Sequence, residues 1–380
     1  MFLNALELTN FRNYEFCNIE FKNSKTLLTG KNAQGKSNLI EAVYYLSSLN
    51  SKRASQDKEL IKKNCNEAHI KAVLFKEDTK VELDVYFKTA GKKTIKINTQ
   101  KKPKASQFIG CFKTVSFTYE DLLLLRGTPQ NRRSWIDDAI SQLYPSYKER
   151  LSKYNKIRIQ RNNLLSTLKS NQNLYFNRNA LLEAWNKQLI IAGSNLIHLR
   201  LKYINEIQPL AASYQNDLTA KEEALQLQYK STTVGTFTPL NDKIPTPEEI
   251  ADIYDEKINK ATDEEIIRAQ TLIGPHRDDI SFYINEFNAE KYASQGQQRS
   301  AVLSLKLAEL KFIKIITEET PVLLLDDVMA ELDKHRQKYL LQVVDKTVQT
   351  IITATEINNF NKTFLNDVAI YTIENGKIYT

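Results

Sequence analysis

Three cysteines, Cys17, Cys65 and Cys111, are all that 380 residues contain. Odd in number and scattered, they fit neither a disulfide framework nor a clustered metal site, and they suit a reducing cytoplasm. No apolar run approaches the roughly eighteen residues of a membrane helix, so no membrane partner is expected. The opening MFLNALELTNFRNYEF has no basic region followed by an apolar core, so no secretory signal is expected either. Glycine is sparse where the middle of the chain turns helical: between residues 130 and 230 only Gly193 occurs. There is no internal repeat and no low-complexity tail.

What is present fits a soluble globular protein of one large or two to three ordinary domains. Hydrophobic residues make up 42% of the chain, enough for a sizeable core, and charged residues 26%. The formal net charge is +8. Lysine and arginine neutralise phosphates and release counterions, so this balance favours a polyanionic partner, although a lysine-rich composition produces the same excess.

The runs NALELTNF, FCNIEF, KTLLTG, HIKAVLF, KVELDVYF, KKTIKIN and KTVSF predict strands in the first 117 residues, with a helix over 36–49. From about 130 to 230 helical patterns replace them. Leu182, Trp185, Leu189, Ala192, Leu196 and Leu199 recur at helical spacing and predict one buried seam. Tyr147, Leu151, Tyr154 and Ile157 mark an earlier helix. Lys148, Arg150, Lys153, Lys156, Arg158 and Arg161 hold its polar positions, as a solvated face or a nucleic-acid contact. Residues 231–248 read as a loop and the acidic segment after them as helix. Strand character returns in ISFYINEF, TPVLLLDDV, QTIITATE and VAIYTIENGKIYT.

Residues 30–37, GKNAQGKS, match G-x-x-x-x-G-K-[ST]. Glycines let successive backbone N–H groups point into one concavity that binds phosphate oxygens. Lys36 can reach terminal phosphates and the Ser37 hydroxyl can ligate Mg²⁺. An apolar run before the loop and a helical pattern after it supply the required context. A second motif, PVLLLDD, delivers Asp326 and Asp327 at the end of an apolar strand. The first acid would steady Mg²⁺ and the second polarise the attacking water. Between the two, Ser294, Gly296 and Gln297 open a helical run and form another anion-binding corner. Phosphate loop, Ser-x-Gly-Gln helix start and double-acid strand follow one another as in ATP-binding-cassette engines, where the serine motif of one subunit completes the nucleotide site of another.

More than half of the chain separates Ser37 from Ser294. That insertion is too long for a transporter ATPase and too short for long coiled-coil arms, and it resembles the RecF family. LELTNFRNYE, GKNAQGKSNLIEAVYYLS, KRASQDKELI, EDLLLLRGTPQNRRSWID, GPHRDD, ASQGQQRS and LLLDDVMAELD carry the resemblance from residue 1 to about 360. Departures are Ala33 where glycine is frequent, Ser37 where threonine is frequent, TYED in place of Ser-Pro-Glu-Asp, and no switch histidine in QTIITATE.

The resemblance implies an α/β fold: an ABC-type (P-loop) ATPase head with a mainly helical second lobe and no long coiled coil. The expected division is an ATPase lobe of 1–119 with 271–380, and a helical lobe of 120–270. The helix after Ser294 would pack on either. The expected cofactors are ATP and Mg²⁺. Gly30, Lys31, Asn32, Ala33, Gln34, Gly35, Lys36, Ser37 and Asn38 would bind nucleotide with Arg12, and with Ser294, Gly296 and Gln297 of a second subunit. Asp326, Asp327 and Lys36 would be catalytic, and Ser37 and Asp326 would hold the metal. Thr353 or Thr355 would lie near the γ-phosphate. His276 would be structural, a phosphate sensor or a DNA contact. Lys52, Arg53, Lys58, Lys62, Lys63, Arg132 and Arg133 are expected to meet DNA phosphates. Expected partners are gapped or junction DNA, RecR, RecA indirectly and a second copy in an ATP-dependent homodimer, in a cytoplasmic, nucleoid-associated setting. Function would be slow, switch-like ATP hydrolysis in recombinational repair and replication-fork maintenance. A transporter-type ATPase subunit and a non-hydrolysing DNA scaffold are the alternatives.

Overall fold

Alternation of apolar and polar residues through the N-terminal third produces, in the computed structural model, strands that bury one face each. The structure describes all residues except 78, 176, 345–346, 358–359, 361–364, 366 and 380, and the side chains of 172 and 173. Strands are numbered in chain order. The first eight are β1 (Phe2–Phe11), β2 (Tyr14–Glu20), β3 (Lys25–Thr29), β4 (Glu67–Lys76), β5 (Thr79–Lys88), β6 (Thr94–Ile97), β7 (Gln100–Lys101) and β8 (Thr114–Phe117). Then come β9 (Leu225–Ser231), β10 (Gly235–Phe237), β11 (Asp279–Ile284) and β12 (Phe287–Asn288). The last four are β13 (Val322–Asp326), β14 (Thr350–Ala354), β15 (Val368–Glu374) and β16 (Lys377–Tyr379).

The chain divides into two compact units, Met1–Leu122 with Arg299–Thr380, and Leu123–Gln298. The first unit has two six-stranded sheets. One is antiparallel, ordered β2-β1-β4-β5-β6-β7, and its register sets Ile70 against Val85 and Ala72 against Leu83 on the buried face. The other is ordered β16-β15-β3-β14-β13-β8 and is parallel from β15 to β8. Its inner strands β3, β14 and β13 are buried almost throughout, and β13 reads as a continuous apolar run, because both faces are covered. The Lys36–Ser48 helix is buried along almost its whole length and shares one hydrophobic core with both sheets, through Leu39, Ile40, Val43 and Leu46. Parallel register places Leu28, Thr353 and Asp326 level across β3, β14 and β13. The phosphate loop and the double acid therefore emerge at the same edge, one strand apart.

The second unit packs helices Pro129–Leu143, Ser146–Ser170, Arg178–Leu218 and Pro247–Arg268 with a four-stranded sheet, β10-β9-β11-β12. The β9–β10 hairpin corrects the helix expected up to 230, and the loop expected at 231–248 holds outside Ser231, β10 and the helix that begins at Pro247. Residues 271–298 belong to this unit because β11 pairs along β9. The Gln295–Thr317 helix divides between the units, its first turn in the second and the rest in the first. In the Arg178–Leu218 helix, Leu182, Leu189 and Leu196 are buried as expected, with Ile190, Ile197, Leu201 and Ile204, while Trp185, Ala192 and Leu199 lie at the half-buried margin.

Arg161, read as part of a polar face, is wholly buried. Its guanidinium donates to Asn186 Oδ1 (2.8 Å), Thr271 Oγ1 (3.0 Å) and Glu265 Oε2 (2.6 Å). Periodicity alone could not separate it from its neighbours: Lys153 and Lys156, on the same helix, are exposed.

Candidate functional site

The loop after β3 is shaped by backbone that only glycine adopts freely. Gly30 has φ 143°, and a Cβ there would fall 2.3 Å from the Ile373 carbonyl oxygen. Side chains of the β1–β2 turn fasten the loop's other end: Asn13 Nδ2 donates to Gln34 O (2.9 Å) and Tyr14 OH to Gly35 O (2.9 Å). The Asn375 N–H donates to Gln34 Oε1 (2.7 Å). Ala33 sits at φ 64°, a left-handed conformation that costs a side chain about 1 kcal/mol and that a glycine would relieve.

The following helix starts at Gly35 with no side-chain cap and no acidic residue in its first turn. Its free N–H groups and dipole thus present positive potential to an anion. Lys36 is buried, and its Nζ donates to the carbonyls of Gly30 (2.8 Å) and Lys31 (3.1 Å), so the ammonium already hangs across the loop. Lys31, Asn32 and Ala33 are exposed; Gln34, Ser37 and Asn38 are half-buried. Asn38 Nδ2 donates to Asn13 Oδ1 (2.8 Å).

At the head of β13, three motifs distant in sequence meet on one carboxyl oxygen. Ser37 Oγ donates to Asp326 Oδ1 (2.9 Å), and Thr353 Oγ1 donates to the same oxygen (2.7 Å). The backbone N–H of Asp327 donates to Thr353 Oγ1 (2.8 Å), which fixes Asp327 at φ 53°. Of the two threonines read as neighbours of the phosphate, Thr353 is in this cluster and Thr355 is exposed. Burial pushes the Asp326 carboxyl up, and the negative charges of Asp327 and Glu120 add to it against the hydrogen bonds from Thr353 and Ser37. Such a site favours a cation. Among the described residues no group of three His, Cys, Asp or Glu could hold a metal alone. Mg²⁺ takes one or two protein oxygens and completes its shell with phosphate and water. Ser37 and Asp326 would hold it.

Glu120, which opens the EDLLLLRGTPQNRRSWID segment, is not among the expected site residues. It belongs to the Tyr119–Leu122 turn after β8, and β8 runs parallel beside β13 with Phe117 opposite Leu325. An ion cluster around the buried Asp121 and Lys306 holds that turn. Asp121 accepts from Lys52 Nζ (2.7 Å) and the Thr118 N–H (2.8 Å), and Lys306 Nζ lies 3.2 Å away. Burial raises the Asp121 carboxyl, but Lys306 and Lys52 outweigh it and hold it at about 2. Beside this turn a cavity of about 240 Å³ is lined by apolar side chains that include Phe117, Leu122 and Val328 and by the charged Arg299, Asp326, Asp327 and Glu331.

Lys52, expected on DNA, is thus engaged by Asp121 and Ser116 (2.8 Å). Arg132, expected there too, is buried, its guanidinium forked onto Asp279 at 2.6 and 2.9 Å. Arg133 is half-buried and donates to the Asp278 carbonyl (2.8 Å). Lys62 lies 3.5 Å from Glu15, and Arg53 donates to Asn38 Oδ1 (3.0 Å). Arg53, Lys58 and Lys63 are exposed. Arg12, expected to reach nucleotide, forks instead onto Glu41 at 2.9 and 2.7 Å and donates to the Glu59 carbonyl (2.9 Å).

In the second unit, Ser294 and Gln297 form a reciprocal cap: Gln297 N–H donates to Ser294 Oγ (3.2 Å), and Ser294 N–H to Gln297 Oε1 (2.9 Å). Ser294 is exposed at the start of the helix, and Gly296 and Gln297 are half-buried. His276 is half-buried, its Nδ1 2.7 Å from Tyr154 OH and its Nε2 3.0 Å from the Thr271 carbonyl. A carbonyl partner requires the proton on Nε2, so Nδ1 accepts from the tyrosine. Burial pushes the imidazole down to about 3, against the Thr271 hydrogen bond and helped by Arg158 and Arg277. Both ring nitrogens are thus engaged within this unit, as a structural role would require. Gly274, two residues earlier, has φ 129°, and a Cβ there would lie 2.0 Å from Tyr254 Oη.

Because His276 is neutral when folded and charges when unfolded, the unfolded chain binds the extra proton between about pH 3 and 6.5. Stability from this group is therefore complete above about pH 6.5 and declines as pH falls, by up to about 1.4 kcal/mol per pH unit. Urea unfolding of His276→Asn at pH 7 and 4.5 is expected to show a smaller acid loss than the parent. An equal loss in both would assign the acid sensitivity elsewhere.

The family model described as RecF/RecN/SMC N terminal domain matches residues 2–379. A relative named DNA replication and repair protein RecF, from Gloeothece citriformis (strain PCC 7424), is 38% identical over 388 residues, covering 100% of this chain and 99% of its own. Another of the same name, from Bacillus cereus (strain G9842), is 37% identical over 379 residues, covering 100% and 98%. A solved structure of the recombination mediator protein RecF-ATPrS in the RecFOR pathway is 30% identical, with a TM-score of 0.88 over 99% of this chain and 97% of that one. An Smc head bound to the C-winged helix domain of ScpA shares the fold, at 16% identity and a TM-score of 0.53 over 100% and 97%. The chain belongs to the RecF family, an ABC-type ATPase family.

Proposed function

We propose that this chain is a DNA-repair ATPase in which nucleotide state controls the pairing of two copies on DNA. One observation carries the reading: Ser37, Asp326 and Thr353 share a hydrogen-bonded cluster at the head of an uncapped helix. When bound, Mg²⁺ and ATP supply the divalent charge that balances the carboxyls and the phosphoanhydride bond that is broken. Lys36 exchanges the carbonyls of Gly30 and Lys31 for phosphate oxygens. Asp326 and Ser37 would hold the metal, and Asp327 would orient the attacking water and take its proton.

Ser294, Gly296 and Gln297 of a second copy close over the terminal phosphate. Ser294 Oγ accepts from Gln297 N–H, which leaves the hydroxyl proton for that contact. Two-fold symmetry makes two such sites per dimer. Closure is driven by contacts that exist only with the triphosphate, and hydrolysis removes them. A timer of this kind turns over slowly.

The relatives' names and the RecFOR pathway support DNA as substrate and RecR as partner; gapped or junction DNA and, through RecR, RecA loading are the finer expectations of the family resemblance. The exposed Arg53, Lys58 and Lys63 are available to DNA. Sedimentation with ATP and with ADP, each with and without gapped DNA, tests the switch. A dimer with ATP that is lost in Ser294→Arg is expected. A monomer in every condition defeats the composite site, and a dimer without hydrolysis favours a nucleotide-dependent scaffold.

A further inference from the structure

Outside one stretch, basic and acidic residues are equal in total number. Between Asp84 and Glu120 there are eight lysines, no arginine and no acidic residue. Setting those eight aside leaves 45 of the 53 basic residues, against 45 acidic ones. The whole formal net charge of +8 therefore resides in this segment.

The segment holds the end of β5, the β6–β7 hairpin and the approach to β8. Two of its lysines serve the first unit's own structure. Lys93 Nζ donates to the Leu49 carbonyl (2.9 Å) and pairs with Asp57 (3.1 Å), and Lys113 pairs with Glu319. Lys88, Lys92, Lys96, Lys101 and Lys102 have no ion pair among the described residues. Lys88, Lys92 and Lys101 are exposed. Lys96 and Lys101 face each other directly across the β6–β7 ladder, where like charges destabilise the pair. The acid in register with Lys96, Asp84, is buried and bonded to His69 Nε2 (2.9 Å). Lys96 Nζ lies 4.7 Å from the Tyr86 ring centroid, and Tyr86 in turn stacks on His69. β7 is the edge strand, and edge lysines discourage sheet extension. That accounts for Lys101 but not for Lys88, Lys92 and Lys102, which lie off the edge strand.

We propose that this lysine-only hairpin region is where the chain meets the nucleic-acid phosphate backbone. It rests on the DNA-repair reading above and places the interface on residues outside those expected from the motifs. Binding there is electrostatic and indifferent to base sequence. The repulsion between Lys96 and Lys101 is relieved when a phosphate lies between them.

The test uses the full chain with Lys92→Gln, Lys96→Gln, Lys101→Gln and Lys102→Gln combined, and duplex DNA measured by fluorescence anisotropy across 50–200 mM salt. An equal-charge comparator carries Lys153→Gln, Lys156→Gln, Lys169→Gln and Lys221→Gln in the second unit. The hairpin variant is expected to keep the parental melting temperature and DNA-free ATPase rate. Its log–log salt slope is expected to shrink by about 0.9 for each phosphate that is no longer neutralised, with at least about tenfold weaker binding. The comparator is expected to keep its slope. A hairpin variant with the parental slope, or a comparator whose slope shrinks instead, overturns the proposal. So does loss of binding to phosphatidylserine vesicles with DNA binding intact, which would make this a membrane surface. A parent chain that binds no DNA overturns the repair reading itself. A parent that binds while the hairpin variant keeps its slope overturns only this placement.

Discussion

Asp327→Asn is expected to slow ATP hydrolysis by about 10²–10⁴-fold, the usual contribution of a positioned general base, while nucleotide still binds. Asparagine keeps the size and shape of the side chain, and the backbone N–H that donates to Thr353 Oγ1 is untouched, so the left-handed turn at φ 53° survives. Only the proton acceptor is removed. The substitution also removes one of the charges that push the Asp326 carboxyl up. Metal affinity should therefore be affected much less than turnover. The variant should accumulate as an ATP-bound dimer, because closure no longer ends in hydrolysis. Single-turnover hydrolysis and sedimentation together check this. Hydrolysis at the parental rate would assign the base elsewhere, and Glu120 is the other carboxyl that bears on Asp326.

Arg161→Met is expected to destabilise the second unit by about 3–5 kcal/mol, the cost of leaving one partner of a buried ion pair uncompensated. Arg161 and Glu265 are both fully buried, 2.6 Å apart. Methionine fills the stem but strands the Glu265 carboxyl, Asn186 Oδ1 and Thr271 Oγ1 without their donor. The Glu265 Oε1 bond from the Leu272 N–H (2.7 Å) remains. For a unit of this size the melting temperature should drop on the order of 10 °C. Arg161→Met with Glu265→Leu should recover much of that, because a matched apolar pair avoids desolvating two charges. Differential scanning calorimetry of both variants checks the claim. If the double variant is as unstable as the single, packing rather than charge pairing sets the cost.

The motifs were legible because each is a local rule. Gly30, Gly35 and Lys36 must stand at fixed offsets for a loop to cradle phosphate. Four apolar residues before Asp326 can only be a buried strand if the acid is to reach the sheet edge. What stayed hidden was burial among look-alikes. Arg132 and Arg133 are adjacent arginines, yet only Arg132 is buried, on Asp279. Partners were hidden too: Lys52 is exposed like Lys58 and Lys63 but is held by Asp121. Partners 69 and 147 positions away in the chain leave no trace in local pattern. The β9–β10 hairpin was missed because Leu225, Leu227 and Tyr229 alternate beside a long helix whose apolar seam dominates the window.

The amino-acid sequence by itself determined the phosphate loop, the double-acid strand, the Ser294 helix start and the α/β class, since hydrogen-bond geometry and side-chain periodicity write them into short stretches. Tertiary structure alone decided that Thr353 rather than Thr355 joins Asp326, that Glu120 stands beside the acids, and which basic side chains stay open to solvent. Those outcomes depend on strand register and on desolvation, and both are set by residues far apart in the chain.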